Sequence, residues 1–158
     1  LDKEVSDFLD SLTIKELGDY DILTDNIEST SVFMSKVYRD GKLVAVGGIA
    51  KWYHLFYHTY FMVKSDYQSQ GIGNEISQHI EEYAERHHLP YIIGAFRLSN
   101  AKSTRIHSTF GYEKVWSNGK AIYGIHLFNK KWSWFSYVLK RILPVYKLVC
   151  RKQGIVSR

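Results

Sequence analysis

Hydrophobic positions along the 158-residue chain repeat with two periods, and these divide it into elements. Val5, Phe8, Leu9 and Leu12 recur at helical spacing near the start. Thr13 to Glu16 has the Thr-x-x-Glu form of a capping box, which predicts a second short helix ended by Gly18. Ser31 to Tyr38 and Lys42 to Ile49 read as strands, and Asp40-Gly41 between them predicts a hairpin. Gly47-Gly48 predicts a bulge or a close backbone approach. Lys51 to His58 is crowded with Trp52, Tyr53, Phe56 and Tyr57; a turn is expected near His54-Leu55, and a strand from Phe56 to Val63. Ile72, Ile76, Ile80, Tyr83 and Ala84 return to helical spacing, so a helix should run from Gly71 to His88 and stop at Pro90. Its Glu75, Glu81, Glu82 and Glu85 are expected on the outer face. Tyr91 to Phe96 is a continuous apolar run, as in a strand buried on both faces. Asn100 is placed to cap a helix from Ala101 to about Thr109, with Gly111 as its left-handed stop. Glu113 to Trp116 and Ala121 to Leu127 predict a last hairpin around Asn118-Gly119. Further on, Phe135, Val138, Leu139, Ile142 and Tyr146 share one helical face, and Pro144 should interrupt or kink that helix.

The stretch Gln68-Ser69-Gln70-Gly71-Ile72-Gly73 joins a predicted strand to a predicted helix. Backbone N–H groups there lie at the positive end of a helix dipole, a ready site for phosphate. A P-loop needs Lys and Ser/Thr after its last glycine, but Asn74 and Glu75 follow Gly73. A dinucleotide fingerprint needs a third glycine, and Ile76 holds that position. The remaining pattern resembles the pyrophosphate loop of the GNAT acetyltransferase superfamily, Arg/Gln-x-x-Gly-x-Gly/Ala. Asn100, Ser103, His107, Gly111 and Tyr112 fall at the spacings of a second motif of that superfamily, Asn-x-x-Ala-x-x-x-Tyr-x-x-x-Gly-Phe. Val63 and Tyr67 match its pattern upstream of the loop. The resemblance covers roughly Gly41 to Ile125. The chain departs at Gln68 (often Arg), Ser65 (often Pro), Ser103 (often Ala) and His107 (often Tyr).

The resemblance implies an α/β fold of the α+β sandwich type. Its sheet would be mixed, mostly antiparallel, with a central splayed pair of parallel strands whose gap holds the pantetheine arm. It implies an acetyl-CoA-dependent N-acetyltransferase acting on a primary amine by direct attack in a ternary complex. The alternative is a non-catalytic acyl-CoA-binding regulatory or interaction module. The first strand usual in such folds is not evident here. Acetyl-CoA would be the co-substrate, and no metal is expected. Met62, Val63, Gln68, Ser69, Gln70, Gly71, Ile72, Gly73, Asn74, Asn100 and Ser103 fall at coenzyme-binding positions, with amides from Ser69 to Asn74 cradling the pyrophosphate. A backbone N–H at a β-bulge near Val63 would polarise the carbonyl. His107 would donate to the coenzyme sulfur, with Tyr112 or Tyr123 as the next candidates. No Glu occurs between residues 42 and 64, so His54, His58 and Tyr60 are the polar candidates for a general base, His58 first. Trp52 and Tyr53 are candidates for an acceptor pocket or for plain sheet packing. His79, His87 and His88 read as residues of a solvated helix.

Composition bounds the rest. Hydrophobic content of 45% and charged content of 23% are ordinary for one globular domain. Cys150 is the single cysteine, so no intrachain disulfide can form, which fits a reducing, cytoplasmic setting. No signal-peptide pattern stands at the start, which is Leu1. Net charge is +5, unevenly spread. The first 28 residues carry −7, whereas residues 130–158 hold eight Lys/Arg and no acid. The chain is therefore divided into a domain at 1–129 and a basic amphipathic extension at 130–158. That extension suits docking on the domain, a homodimer seam or peripheral contact with an anionic membrane. A nucleic-acid partner is not favoured, because the remaining domain is acidic. The acceptor is expected to be a small-molecule or protein amine.

Overall fold

The computed structural model describes residues 3–12, 30–52, 56–117 and 119–152, and the side chains of all of these except Trp52, Phe56 and residues 146–152. The expected capping box at Thr13, the turn at His54-Leu55, Tyr53 and Asn118 lie outside the described residues. So does the side chain of Trp52.

The elements are α1 (Lys3–Asp10), β1 (Ser31–Arg39), β2 (Lys42–Trp52), β3 (Phe56–Val63), α2 (Ile72–Arg86), β4 (Tyr91–Arg97), α3 (Ala101–Thr109), β5 (Glu113–Ser117), β6 (Ala121–Leu127) and α4 (Ser133–Lys152). Short 3-10 turns at Ser65–Tyr67 and Lys130–Trp132 precede α2 and α4. The six strands form one sheet in the order β1-β2-β3-β4-β6-β5. Every neighbouring pair is antiparallel except β3 with β4. This is the mixed sheet with a central parallel pair that the resemblance implies.

Strand alternation sorts the core onto two faces. On one face, Ala50, Tyr60 and Met62 meet Val5, Phe8, Leu9 and Leu12 from α1 and the residues just after it. Beside them on that face, Tyr91, Ile93, Tyr123 and Ile125 meet Phe135, Leu139 and Leu143 of α4. On the opposite face, Ile49 and Ile92 pack against Ile72, Ile76, Ile80 and Ala84 of α2. Each fully buried aliphatic side chain contributes about 1.5–3 kcal/mol, so α2 is held by tertiary packing more than by propensity.

Two sequence expectations narrow to one of their alternatives, and two change. Gly47 and Gly48 provide close approach and no bulge. A Cβ at Gly47 would lie 2.5 Å from Cγ2 of Ile76, and one at Gly48 would lie 2.1 Å from the Phe33 carbonyl oxygen. The register shifts between β1 and β2 fall elsewhere and leave Val32 and Val44 as the extra residues. The β2–β3 ladder pairs without interruption from Ala45 opposite Val63 to Trp52 opposite Phe56, so no bulge stands near Val63. α4 runs through Pro144, so of the expected interruption or kink the interruption does not occur. A proline inside a helix costs about 3 kcal/mol through its lost N–H bond and the clash of its ring with the preceding turn, and burying Phe135, Leu139 and Leu143 offsets it. Finally, Glu81 does not face outward. It is half-buried, with Oε1 at 3.5 Å from Nδ1 of His126 on β6.

Candidate active site

β3 and β4 pair at a single position, His58 opposite Ile93. Beyond it, toward Val63 and Arg97, the strands part, because β3 stays laddered to β2 and β4 to β6. The gap opens at the carboxyl ends of two parallel strands, where backbone donors and acceptors on the facing edges are left to a ligand.

The loop after β3 is shaped for an anion. Ser69 has φ 68° and Gly71 has φ 82°, both in the left-handed region. A Cβ at Gly71 would meet nothing within 4 Å, so glycine is required there by its dihedral and not by crowding. Gly73 differs: a Cβ there would come 2.6 Å from Cδ1 of Ile106, so this glycine lets α3 approach the start of α2. The amides of Ile72 and Gly73, in the first turn of α2, have no partner within the helix. The amide of Asn74 is already bonded to the Gly71 carbonyl at 3.0 Å. Of the amides from Ser69 to Asn74 expected to cradle the pyrophosphate, that of Asn74 thus already has a partner within the turn. Gln68 and Gln70 turn back to brace the loop, donating to the carbonyls of Val63 at 3.2 Å and Asp66 at 3.1 Å. The Lys102 ammonium donates to Ser69 Oγ at 2.6 Å and brings a cation to the loop. Sequence reasoning missed Lys102. The signal was present: a lysine in the first turn of a helix opposes the dipole unless an anion is near.

Asn100 caps α3 as expected, its Oδ1 accepting from the Ser103 amide at 3.0 Å. That helix delivers His107 to the gap. The ring is 4% exposed and lies over Gly94, flanked by Phe96 at 4.3 Å and Phe61 at 5.9 Å between centroids. A Cβ on Gly94 would fall 2.8 Å from its Nε2 and 3.0 Å from Cε1 of Tyr112. The bare α-carbon of Gly94, read from sequence only as part of an apolar strand, is what admits both rings. His107 Nδ1 donates to the Ser103 carbonyl at 2.7 Å. In the neutral ring this leaves Nε2 without a proton. Burial lowers the pKa of His107, and the bond to Ser103 partly opposes that. The phenol of Tyr112 is hydrogen-bonded to Thr59, and burial pushes its pKa up. Thr59, Phe61, Glu81, Ile106, His107 and Tyr112 line a small cavity at the closed end of the gap.

His58 lies on the other face of the sheet, in step with Ala50, Tyr60 and Met62. It is 4% exposed, and burial lowers its pKa to about 4. The side chain of Met62 is likewise buried in the α1 cluster, so only its backbone can meet a ligand in the gap. Tyr60 is buried with its hydroxyl 2.8 Å from Ser31 Oγ, and burial raises its pKa to about 12. His58 and His107 thus lie on opposite faces of the sheet, His58 at the position where β3 and β4 still pair and His107 over Gly94 next to it. Among the described residues no group of three His, Cys, Asp or Glu is placed to hold a metal ion.

The model of the acetyltransferase (GNAT) family matches residues 4–112, which include the loop, the gap and His107. The chain belongs to the GNAT acetyltransferase family. Solved structures agree on the fold. yncA from Salmonella typhimurium, solved with its cofactor acetyl-CoA, aligns with TM-score 0.54 at 13% identity over 61% of this chain and 65% of that one. The chain therefore spans a little under two thirds of that protein's length. An N-acetyltransferase from Staphylococcus aureus Mu50 aligns with TM-score 0.56 at 12% identity, covering 75% and 79%. A ribosomal-protein-alanine N-acetyltransferase from Brucella melitensis aligns with TM-score 0.54 at 14% identity, covering 74% and 80%. No curated protein matches the chain in sequence. GNAT membership makes acetyl-CoA-dependent acetyl transfer the class of chemistry to be tested against this site. The site fits that co-substrate: an anion-binding loop with a lysine beside it leads into an open gap between strand edges.

Proposed function

We propose that the protein transfers an acetyl group from acetyl-CoA to a primary amine by direct attack in a ternary complex. Acetyl-CoA supplies the thioester. Amides of the 69–73 loop and Lys102 hold its pyrophosphate, and the facing edges of β3 and β4 align the pantetheine arm. The unbroken β2–β3 ladder removes the bulge as a source of the oxyanion donor, so edge amides in the gap take that task.

The observation that carries this reading is the disposition of two histidines on opposite faces of one parting strand pair. The amine approaches on the face of His58, and the sulfur leaves toward the face of His107. Neutral His58 accepts a hydrogen bond from the amine and orients it. A ring protonating only near pH 4 stays neutral at working pH but holds a transferred proton poorly, so the amine must arrive uncharged. His107 donates to the sulfur only in its protonated form, since Nδ1–H is committed to Ser103. Tyr112 is the alternative donor, with its hydroxyl beside Thr59. The acceptor is a small-molecule or protein amine.

The test pairs calorimetric titration of acetyl-CoA with thiol release against a panel of amines. Binding with amine-dependent thiol release supports the proposal. Binding without turnover on any amine makes the protein a coenzyme-binding module, and absence of binding removes the reading. His107→Ala should lower kcat about 100-fold with acetyl-CoA affinity unchanged. If Tyr112→Phe has that effect and His107→Ala does not, the donor is Tyr112.

A further inference from the structure

α4 buries only part of its apolar surface. Phe135, Leu139 and Leu143 are buried against the sheet. Trp134, Tyr137, Ile142 and Val145 remain 56%, 63%, 42% and 62% exposed. Four of the seven large hydrophobic residues standing exposed among the described residues lie on this one helix, so the exposure forms a patch and is not scatter. Trp134, Tyr137, Arg141 and Val145 follow i, i+3, i+7, i+11 spacing, which places them on one stripe. Ile142 extends the stripe on one side. Basic groups border it: Lys130 and Lys131 ahead of the helix, and Lys140 and Arg141 within it, are exposed. The Arg141 guanidinium lies 5.4 Å from the Tyr137 ring centroid and donates to its hydroxyl at 3.1 Å. No acid occurs in the chain after Glu113.

Three kinds of occupant can be weighed by chemistry. A second copy meeting this face about a two-fold axis would bring two basic helices together, with no acid in residues 130–158 to separate them. Nucleic acid would use the cations and rings but would leave Ile142 and Val145 with nothing to bury against. An anionic phospholipid surface uses both sets. Its acyl boundary takes the apolar stripe, and its headgroups pair with the lysines and arginine. No helix of the described residues is long and apolar enough to cross a membrane, so α4 would lie on such a surface.

We propose that the outer face of α4, built on Trp134, Tyr137, Ile142 and Val145 with Lys140 and Arg141, docks the protein on an anionic phospholipid surface. The inner face stays on the sheet, so docking requires no unfolding. This inference is independent of the acetyl-transfer reading and is tested without coenzyme. The full chain is sedimented with phosphatidylcholine vesicles containing or lacking phosphatidylglycerol. Binding should be about ten-fold tighter with phosphatidylglycerol and should weaken as salt is raised. Trp134→Ser with Val145→Ser, and separately Lys140→Glu with Arg141→Glu, should each lower that affinity about ten-fold while circular dichroism and the urea midpoint hold. Equal binding to both vesicles, no binding to either, or variants that bind like the parent would overturn the proposal. A concentration-dependent dimer abolished by the serine pair would overturn it in favour of a second copy. Oligonucleotide binding lost with the charge reversals but kept by the serine pair would overturn it in favour of nucleic acid.

Discussion

Gly94 is the residue on which the site depends most directly. A methyl group there would stand 2.6 Å from Cδ2 of His107, and the ring is already packed by Phe96 and Tyr112. Gly94→Ala must therefore displace His107 or the strand. Overpacking of this kind costs about 1–3 kcal/mol. Steady-state kinetics should show kcat falling about 100-fold, with acetyl-CoA affinity within a few-fold of the parent, because the loop lies elsewhere. Unchanged kcat would mean that His107 has no part in the chemical step. The pH dependence of kcat carries a sign of its own. His107 protonates below its ordinary value of 6.5 because it is buried, and only the protonated ring can donate from Nε2. If His107 is the donor, kcat under saturating neutral amine should rise as pH falls toward and below 6.5, and His107→Gln should flatten that limb. The donor role of His107 is expected from the resemblance, but the role of Gly94 and the tautomer of His107 could not be read from the chain. Gly94 looks like any glycine in an apolar strand, and the tautomer of His107 is set by a carbonyl one helical turn away.

At the scale of elements, α3 and the loop before α2 work as a pair. Asn100 fixes where α3 starts, the start places Lys102, and Lys102 bonds Ser69. Lys102→Ala should raise the KM for acetyl-CoA several-fold, leave kcat unchanged and reduce the dependence of KM on salt, since it removes a phosphate contact and no reacting group. A fall in kcat with KM unchanged would place Lys102 in the chemistry instead. Element bounds were largely legible in the sequence. The predicted strand from Phe56 to Val63, the helix from Ala101 to Thr109, the Asp40-Gly41 turn and the Asn100 cap all recur in the structure. Each rests on local chemistry: β-branched runs, a side-chain cap, or a residue tolerant of positive φ. The choice at Pro144 was not legible, because local chemistry allows either a stop or a kink there. The burial of Phe135, Leu139 and Leu143 favours continuation.

Over the whole molecule, two buried histidines link stability to pH. His58 protonates at about 4 in the fold against 6.5 unfolded, and His107 is lowered as well. Below pH 6.5 the unfolded chain binds more protons than the folded one, so stability rises with pH and falls with acid. The difference at His58 corresponds to about 3 kcal/mol lost once the pH has dropped from 6.5 to about 4, with a further loss in the same direction from His107. Urea unfolding at a series of pH values should show this slope, and His58→Asn should remove the larger share. A flat profile across that window would mean that neither ring is buried in its neutral form.

The sequence by itself determined which segments are strands and helices, the anion-seeking loop after β3 and the family to which it belongs. These depend on neighbours within a few residues of one another. Only the tertiary structure decided the face of the sheet each histidine occupies, the single position at which β3 and β4 pair, and the arrival of Lys102 beside Ser69. Those are relations between residues distant in the chain, and they follow from strand order and from which apolar surface each helix buries. The same physics divides α4: Phe135, Leu139 and Leu143 are buried against the sheet, whereas Trp134, Tyr137, Ile142 and Val145 stay exposed.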